Sequence, residues 1–341
     1  MLNRCLIAGG IVGVCTAVAG AQAVSPGIVN PANGHTYYLT TDTNWIHAAK
    51  DAHRLGGRLV TINDAAEQAW VFDTFSRYGG TTRLLWIGLT DTGSEGTFRW
   101  LNGEPVTYTN WAPGEPNDFE GGEDHVGMYY PGHSAQGRWN DWGWEDRDPV
   151  GGPFAGVVEV DPSRPGPTIF AEVDSTWLTL APEGNRQGQP ITSVGGAWEA
   201  ANPGWRSDVN FNTAGWEPAA ARGPAWWGPD ADSPLYLRKV FTLDGLVTDA
   251  MLLSAVDDDM LVYVNGTLAS GDTNGFADGR GPIDVTSLLR VGQNVIAVKA
   301  HDSFGGDESM ILQVSGTVVP EPRVGALGLG AIALSARRRR R

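Results

Sequence analysis

The chain has 341 residues, of which 46 are glycine and 21 are proline, and this suits about two domains of loop-rich, mostly β architecture. Its net charge is −15, and it becomes −21 when residues 1–23 and 319–341 are left out. This acidity excludes nucleic acid and anionic lipid as partners bound through overall charge. It favours cation binding, although a solvated acidic surface would give the same composition.

The first 23 residues are predicted to be a secretory signal peptide. Arg4 precedes an apolar stretch, and residues 21–23 supply the small residues of a cleavage signal, so we expect cleavage after Ala23. A membrane anchor is the alternative, but the stretch is short and rich in Gly and Ala. Cys5 and Cys15 both lie in this segment and are the only cysteines, so the exported chain would contain no disulfide.

Two amphipathic helices are predicted next. Asp42 or Thr43 can cap a helix whose apolar face begins at Trp45 and which stops at a Gly-Gly pair. Asp64 and Glu67, three residues apart, form a capping box for the second helix. That helix would bury Trp70, Val71, Phe72 and Phe75.

Strands and loops follow the two helices. The Asn102-Gly103 pair predicts a hairpin turn between two strands. The predicted strands are LLWIGL (84–89), TFRWL (97–101), VTY (106–108), HVGMYY (125–130) and FAGVVEV (154–160).

The loop at 111–124, WAPGEPNDFEGGED, carries five carboxylates in fourteen residues. Such a loop repels itself unless it is ordered around a cation, and calcium takes six to eight oxygens from carboxylates, amides and water. The six histidines are scattered, so zinc is disfavoured, and magnesium demands a tighter geometry. The candidate ligands are Glu115, Asn117, Glu123, Asn140 and Asp141.

This half of the chain resembles the C-type lectin-like domain. The matching segments, in order, are AAKDAHRLGGRLVTI, WIGL, TDTGSEGTFRW, NWAPGEPND, GGEDHV, RWND and VVE. The resemblance implies that those five candidate residues form the principal, sugar-binding calcium site, with a cis bond before Pro116. EPN is similar to the mannose type, which prefers sugars with equatorial 3- and 4-hydroxyls. Each hydroxyl would bind calcium while donating to Glu115 and accepting from an Asn amide.

The resemblance also implies an auxiliary, structural calcium site, formed by Asp91, Glu95, Asp118, Glu123 and Asp124. Two departures from the family stand beside it. The positions of the usual disulfides hold Ala52 with Val158 and His125 with Trp144, and an insertion follows at 144–153. Many domains of this fold bind protein, ice or nothing, and the acidic loop could hold calcium for stability alone.

Beyond a Pro-rich linker at 162–167, residues 168–318 show a β-sandwich pattern, with Asn265-Gly266 as a second hairpin turn. The segments YLRKVFTL and DVTSLLRVGQNVIAVKAHD make this part similar to the galactose-binding-like jelly roll of glycan-processing enzymes. Asp257 to Asp259 are interpreted as a solvated or calcium-bound turn and not as catalytic acids. The tryptophans are expected to pack in the core and loops in preference to stacking on sugars: Trp198, Trp205, Trp216, Trp226 and Trp227. The predicted strands are 234–243, 250–256, 260–266, 294–301 and 310–316.

The segment 319–341 has three parts: a Pro-Glu-Pro turn, an apolar segment at 324–336 and five arginines. It resembles the PEP-CTERM sorting signal of Gram-negative bacteria. That implies transient inner-membrane anchoring, recognition by an exosortase, and delivery to the outer surface or extracellular matrix.

These patterns predict a mainly β protein: a signal peptide (1–23), an α+β C-type lectin-like domain with two helices (33–161), a linker (162–167), an all-β jelly roll (168–318) and the tail (319–341). The predicted function is calcium-dependent carbohydrate binding outside the cell. No GxSxG, HExxH or phosphate-binding loop is present, so no enzymatic activity is predicted. The alternatives are a structural or adhesion matrix protein that binds protein, or an accessory module of glycan processing.

Overall fold

The computed structural model describes residues 23–143, 154–173, 176–181, 191–219, 234–256, 259–273, 278–301 and 310–319. Several predictions concern residues outside these ranges: the signal peptide before Ala23, the insertion at 144–153 with Trp144, the pair Trp226 and Trp227, the turn residues Asp257 and Asp258, and the tail from residue 320. Among the described residues, no helix has the length and apolarity needed to cross a membrane.

The first unit, residues 23–160, contains two helices and one mixed sheet. Its elements are β1 (Ile28–Val29), β2 (Thr36–Asp42), α1 (Trp45–Arg54), β3 (Arg58–Leu59), α2 (Ala65–Phe75), β4 (Leu84–Thr90), β5 (Arg99–Trp100), β6 (His125–Met128), β7 (Trp139–Trp142) and β8 (Phe154–Val160), with 3-10 turns at Tyr78–Gly80 and Phe119–Gly121. The strand order is β1-β2-β8-β4-β6-β7, with β3 beside β8 and β5 beside β4. Only the β4–β8 pair is parallel among these strands.

Helix α1 begins one or two residues later than predicted. Its cap is Asn44, whose side chain accepts from the backbone N–H of His47 at 2.9 Å. The predicted cap Asp42 is wrong because this residue ends β2, and its carboxylate accepts from Arg83 Nε at 2.8 Å. The alternative cap, Thr43, is wrong as well, since the Thr43 N–H donates to Phe154 O of β8 at 2.7 Å.

Helix α2 is capped as predicted at Asp64, which accepts from the N–H groups of Ala66 and Glu67, both at 2.8 Å. The second half of the predicted capping box is displaced by one residue. The Glu67 carboxylate accepts from Asn63 N at 2.9 Å and from Tyr37 Oη at 2.6 Å, so it links the helix start to β2. The predicted apolar face packs on the core, fully buried at Val71 and Phe75 and partly at Trp70 and Phe72.

The hairpin predicted at Asn102-Gly103 is wrong. The chain leaves the sheet after β5, and residues 102–110 contain no strand. This segment packs by side chains instead of by a ladder: Tyr108 lies against the buried ring of Trp139, with centroids 5.7 Å apart. An aromatic anchor therefore overrides the local turn signal.

The second unit, residues 168–319, is an antiparallel β-sandwich. Its elements are β9 (Thr168–Glu172), β10 (Leu178–Leu180), α3 (Gly196–Ala201), β11 (Glu217–Pro218), β12 (Leu235–Leu243), β13 (Leu246–Val256), β14 (Asp259–Val264), β15 (Thr267–Asp272), β16 (Asp278–Asp284), a 3-10 turn (Thr286–Leu288), β17 (Gly292–His301) and β18 (Met310–Val319). One sheet has the order β11-β10-β12-β17-β14-β15 and the other β16-β13-β18-β9. Their facing apolar side chains form one core cluster.

Two predictions for the second unit are confirmed. Asn265 and Gly266 have φ of 50° and 88° and join β14 to β15, as a two-residue hairpin turn requires. Trp205 is fully buried, and the ring centroids of Trp198 and Tyr236 are 4.4 Å apart. These two tryptophans therefore pack against the outer side of the six-stranded sheet.

The two units share an apolar core over helix α1. Leu253, Ala255 and Ile311, from β13 and β18, belong to the same buried cluster as α1 residues such as Ala48 and Ala52. Ion pairing adds to this contact, because Arg54 Nε donates to a Glu172 carboxylate oxygen at 3.2 Å. The second unit therefore packs on the first through a sheet face and not only through the linker.

His53 lies at the centre of this shared core. Its Nδ1 is 2.7 Å from Gln313 Oε1 and 2.9 Å from Ser315 Oγ, both on β18. Since Gln313 Oε1 can only accept, His53 Nδ1 carries the proton. Burial lowers the pKa of His53 to about 4, with the Gln313 hydrogen bond opposing the shift.

We expect the stability of the chain to fall at acidic pH through His53. Because its folded pKa is below the unfolded value of about 6.5, the unfolded state takes up the proton first. The neutral form of His53 makes its full contribution to the free energy of unfolding above pH 6.5. This contribution, about 3 kcal/mol, is lost as the pH falls towards 4. Urea unfolding at a series of pH values measures the loss. The His53→Gln variant cannot titrate at this position, so its free energy of unfolding should fall correspondingly less at acidic pH. Parallel plots of unfolding free energy against pH for the two proteins would contradict the prediction.

Candidate functional site

The long acidic loop is anchored on β7 by one buried carboxylate. Both oxygens of Asp141 accept from the N–H of Asn117, at 3.1 and 3.2 Å, and one of them also accepts from Asp118 N at 3.0 Å. Asp141 is 1 % exposed. The Glu115–Pro116 peptide bond is cis. Asp141 thus brings the loop bearing Glu115 and Asn117 against the strand that carries the WND motif.

The start of the loop is held by β7 as well. Ala112 N donates to Trp139 O at 2.8 Å, and Trp139 N donates to Asn110 O at 2.9 Å. The Trp111 and Trp139 rings pack edge to face at 5.8 Å, and Trp139 Nε1 donates to Gln68 on α2 at 2.7 Å. Aromatic packing on Trp139 therefore fixes the loop entrance, while Asp141 fixes its middle.

Two buried acceptors beside Asp141 have no hydrogen-bond partner among the described residues. They are Glu115 Oε2 and Asn140 Oδ1. Asn140 is oriented by its amide, whose Nδ2 donates to Asp141 O at 2.6 Å, so its oxygen points elsewhere. Burial raises the pKa of Glu115, and the nearby Asp141 carboxylate raises it further. Unpaired buried acceptors are costly, and a cation with oxygen ligands would satisfy them.

The other two predicted residues of the principal site have different environments. The side chain of Asn117 is exposed, so its amide is available to a ligand. Glu123 is buried, and its Oε2 accepts from Phe119 N at 2.8 Å, while its own N–H donates to Asp118 Oδ1 at 3.2 Å. Glu123 therefore braces the tight turn between the EPN and ED motifs.

A second acidic group lies where the auxiliary site was predicted. Ligand oxygens of Asp91, Glu95 and Asp124 all lie within 4.8 Å of one another. Asp91 is 1 % exposed; its Oδ2 accepts from Gly96 N at 2.9 Å, and its Oδ1 has no hydrogen-bond partner among the described residues. Burial and the neighbouring Glu95 and Asp124 raise the pKa of Asp91 to about 7. Such a donor set fits a hard divalent cation.

The two remaining predicted auxiliary residues, Asp118 and Glu123, are not in that group. They are bonded to each other in the adjoining turn, where Asp118 has a φ of 45°. The structure therefore brings three of the five predicted auxiliary side chains together, and it connects the other two to the principal site through backbone hydrogen bonds.

Two features of the site were not predicted from the sequence. The first is Phe119, two residues after Asn117, whose side chain is 67 % exposed. An apolar residue in a polar loop could have identified it as a site residue from the sequence. The hydroxyls of Thr90 and Thr92 flank Asp91 and bond each other at 2.8 Å, and nothing in their sequence context indicated this role.

The positions of the missing disulfides are filled by packing. Ala52 and Val158 are fully buried in one cluster, and His125 packs on Trp45 with the rings tilted by 45° and their centroids 4.4 Å apart. These contacts hold α1 against β8 and β6 without a covalent link.

Comparisons with known proteins agree with this arrangement. The Lectin C-type domain family matches residues 41–148. The low affinity immunoglobulin epsilon Fc receptor of Mus musculus is 39 % identical over 105 residues, covering 31 % of this chain and 29 % of the receptor. A perlucin-like protein of Mytilus galloprovincialis is 34 % identical over 107 residues, 31 % of this chain and 66 % of that protein. C-type mannose receptor 2 of Homo sapiens is 36 % identical over 113 residues, 33 % of this chain and 7 % of the receptor.

Among solved structures, C-type lectin CEL-I from Cucumaria echinata is 29 % identical, covering 37 % of this chain and 89 % of that one, with a TM-score of 0.31. The cow C-type carbohydrate-recognition domain of CD23, solved in the presence of a GlcNAc2Man3 oligosaccharide, is 30 % identical and covers 40 % of this chain and 97 % of that one, also with a TM-score of 0.31. The chain spans less than two thirds of the curated relatives it matches. Residues 41–148 are thus similar to the Lectin C-type domain, and the other described residues form a mostly β fold.

Proposed function

We propose that this protein is a calcium-dependent carbohydrate-binding protein whose sugar site is formed by the five predicted residues, Glu115, Asn117, Glu123, Asn140 and Asp141. The observation that carries the proposal is the pair of buried acceptors without a hydrogen-bond partner among the described residues, Glu115 Oε2 and Asn140 Oδ1. The match to the Lectin C-type domain supports it, since lectin domains of this family generally bind calcium.

The chain's own groups would select the sugar as follows. A bound calcium ion supplies coordination positions for two vicinal sugar hydroxyls. The Glu115 carboxylate accepts a hydrogen bond from one hydroxyl, and the exposed amide of Asn117 donates to an oxygen. Asp141 does not need to touch the sugar, because its two oxygens are occupied by loop amides that fix Asn117 in place.

The order of acceptor and donor, Glu115 before Asn117, favours mannose-type sugars with equatorial 3- and 4-hydroxyls. The family resemblance is the basis of this preference. One relative is named as a mannose receptor, and a lectin domain of similar sequence was solved with a mannose-containing oligosaccharide. The auxiliary group, Asp91 with Glu95 and Asp124, would hold a second calcium ion that orders the loop.

The wider setting is also part of the proposal and rests on sequence. The second unit would be a galactose-binding-like jelly roll, consistent with its two packed antiparallel sheets. The signal peptide and the PEP-CTERM-like tail would deliver the protein, through an exosortase, to the surface or matrix of a Gram-negative bacterium.

Protein binding is the second candidate function. It is favoured by the relatives named as immunoglobulin Fc receptors, with 39 % identity to this chain. An adhesion role of this kind would use the surface of the lectin fold and not the two unpartnered acceptors.

A glycan array probed with and without calcium tests the proposal. We expect binding to mannose-type glycans in millimolar calcium and its loss in excess EGTA. Asp141→Asn should weaken calcium binding by at least about tenfold, because it weakens the hydrogen bonds that hold the loop. Binding that persists in EGTA would refute calcium dependence. Calcium uptake without any glycan signal would favour the protein-binding alternative.

Exchanging the two loop residues should change sugar preference. Glu115→Gln with Asn117→Asp reverses the acceptor and donor, so we expect weaker mannose binding and a relative gain for galactose. The double variant Asn102→Asp with Glu104→Gln makes the same atomic changes in another loop and serves as the matched control. Competition with free mannose and galactose measures both. An unchanged preference in the first variant would place the sugar site elsewhere.

Phe119 should add apolar contact to a bound sugar. If its exposed ring covers about 40 Å² of a pyranose face, Phe119→Ala weakens glycan binding about fivefold, equivalent to about 1 kcal/mol, with calcium affinity unchanged. Leu268→Ala, which removes an exposed apolar side chain from β15 in the second unit, is the control. Equal glycan affinities for wild type and Phe119→Ala would show that the ring does not reach the sugar.

A further inference from the structure

Gly281 and Pro282 lie within strand β16 where its register against β13 shifts; this irregularity, called here the Gly281-Pro282 turn, is buried against the first unit. Gly281 has a φ of 122°, and a Cβ at this position would lie 2.5 Å from Leu252 O, so only glycine fits here. Its carbonyl is thereby directed out of the sandwich and towards the lectin domain. The turn is far in sequence from the residues it contacts, and the linker does not create this contact.

Three groups of the lectin domain donate to this turn. Thr92 Oγ1 and His125 Nε2 both lie 3.3 Å from Gly281 O. Arg99 Nη2 donates to Pro282 O at 2.8 Å. The two carbonyls therefore take hydrogen bonds from the residue after Asp91, from the strand start after Asp124, and from β5.

Two of these donors adjoin the auxiliary acidic group in sequence, because Thr92 follows Asp91 and His125 follows Asp124. Thr90 Oγ1 donates to Asp124 O at 2.7 Å, and Asp91 N donates to Asp124 O at 3.3 Å. The hydroxyls of Thr90 and Thr92 are 2.8 Å apart. Thr92 N donates to Thr90 Oγ1 at 3.1 Å, so hydrogen bonds connect Asp124 O, through Thr90 Oγ1 and the N–H of Thr92, to the residue whose hydroxyl donates to Gly281 O.

We propose that the auxiliary calcium site also acts as a clasp between the two units, so that ion binding and docking of the Gly281-Pro282 turn stabilise each other. This inference rests on the proposed calcium binding but does not depend on sugar recognition. The unpartnered and buried Asp91 Oδ1 is the independent sign that this acidic group takes a ligand.

The physical cause is electrostatic. Without a cation, the carboxylates of Asp91, Glu95 and Asp124 repel one another at distances within 4.8 Å, and this repulsion works against the hydrogen bonds of the loop that carries Thr92. A cation removes that repulsion and fixes Thr92 and His125 as donors. Docking of the Gly281-Pro282 turn, in turn, limits the conformational freedom of residues 90–92 before the ion binds. Coupling between two binding events is reciprocal, so either one should strengthen the other by the same factor.

The effect should be confined to the region around β16. The shared core over α1, with His53, Gln313 and Ile311, contains no residue of the acidic group and would keep the units together without calcium. Calcium should therefore change the order of the turn without separating the two units.

Hydrogen exchange on the full chain tests the clasp. We expect calcium to slow exchange of the amides of residues 278–284 by at least about tenfold, together with those of 90–96, and to leave β18 near Gln313 unchanged. Asp91→Asn should abolish both effects. Glu115→Gln, which alters only the principal site, should abolish glycan binding and retain the protection of 278–284. Protection of 90–96 without any change at 278–284 would overturn the clasp.

The reverse direction is tested by calcium titration in a Glu115→Gln background. Thr92→Val removes the hydroxyl that reaches Gly281 and should weaken calcium binding at the auxiliary site about threefold to tenfold. Thr97→Val is the matched control, because the Thr97 hydroxyl contacts Ser94 and not the second unit. Equal effects of the two variants would contradict the coupling.

The two proposals can fail separately. Calcium-dependent glycan binding without protection of 278–284 would leave the lectin function intact and remove the clasp. Calcium-dependent protection of residues 278–284 without glycan binding would leave the clasp intact and remove the lectin function. The absence of any calcium effect would remove both.

Discussion

The candidate site depends on the bonds that the Asp141 carboxylate makes to the loop. Beyond its bridge to Trp139 at the start, this stretch of fourteen residues, rich in Gly, Pro and acid, has no sheet pairing, so its amides need other acceptors. Asp141 accepts from two of them, at 3.0 to 3.2 Å, and it projects from a paired strand. Because charged acceptors make the stronger hydrogen bonds, one buried side chain converts an irregular segment into a defined surface. The positions of Glu115 and Asn117 follow from it.

The same region concentrates negative charge, since ligand oxygens of Asp91, Glu95 and Asp124 lie within 4.8 Å of one another. Asp91, Glu115 and Asn140 each keep a buried oxygen without a hydrogen-bond partner among the described residues. A chain stabilised by disulfides could tolerate this more easily, but both cysteines lie in the predicted signal peptide. Any cation bound there would thus contribute directly to folding free energy, since it binds the native state and not the unfolded one.

Local patterns predicted much of the fold, and long-range packing explains the differences. Strands β12, β13, β14, β17 and β18, the Asn265-Gly266 turn and the Asp64 cap follow from short-range rules, whereas β9, β10, β11, β15 and β16 were not predicted. The helix cap moved to Asn44 because Asp42 is used by Arg83 and the sheet. Asn102-Gly103 did not form a hairpin because Tyr108 packs on Trp139. The EPN, ED and WND motifs located the acidic groups, whereas the contact between Thr92 and Gly281 joins residues 189 positions apart and has no local signal.

The apolar seam over α1 has a consequence for how such a chain can be rearranged. Leu253, Ala255 and Ile311 of the second unit join the buried cluster around α1, and His53 and Arg54 of α1 find their partners Gln313 and Glu172 there. A gene fusion that transferred residues 23–160 alone would expose the buried ring of His53 to water and leave Arg54 without its Glu172 partner. The first unit is therefore not suited to transfer into another protein by itself. It would have to be moved together with the second unit, or redesigned at the surface of α1.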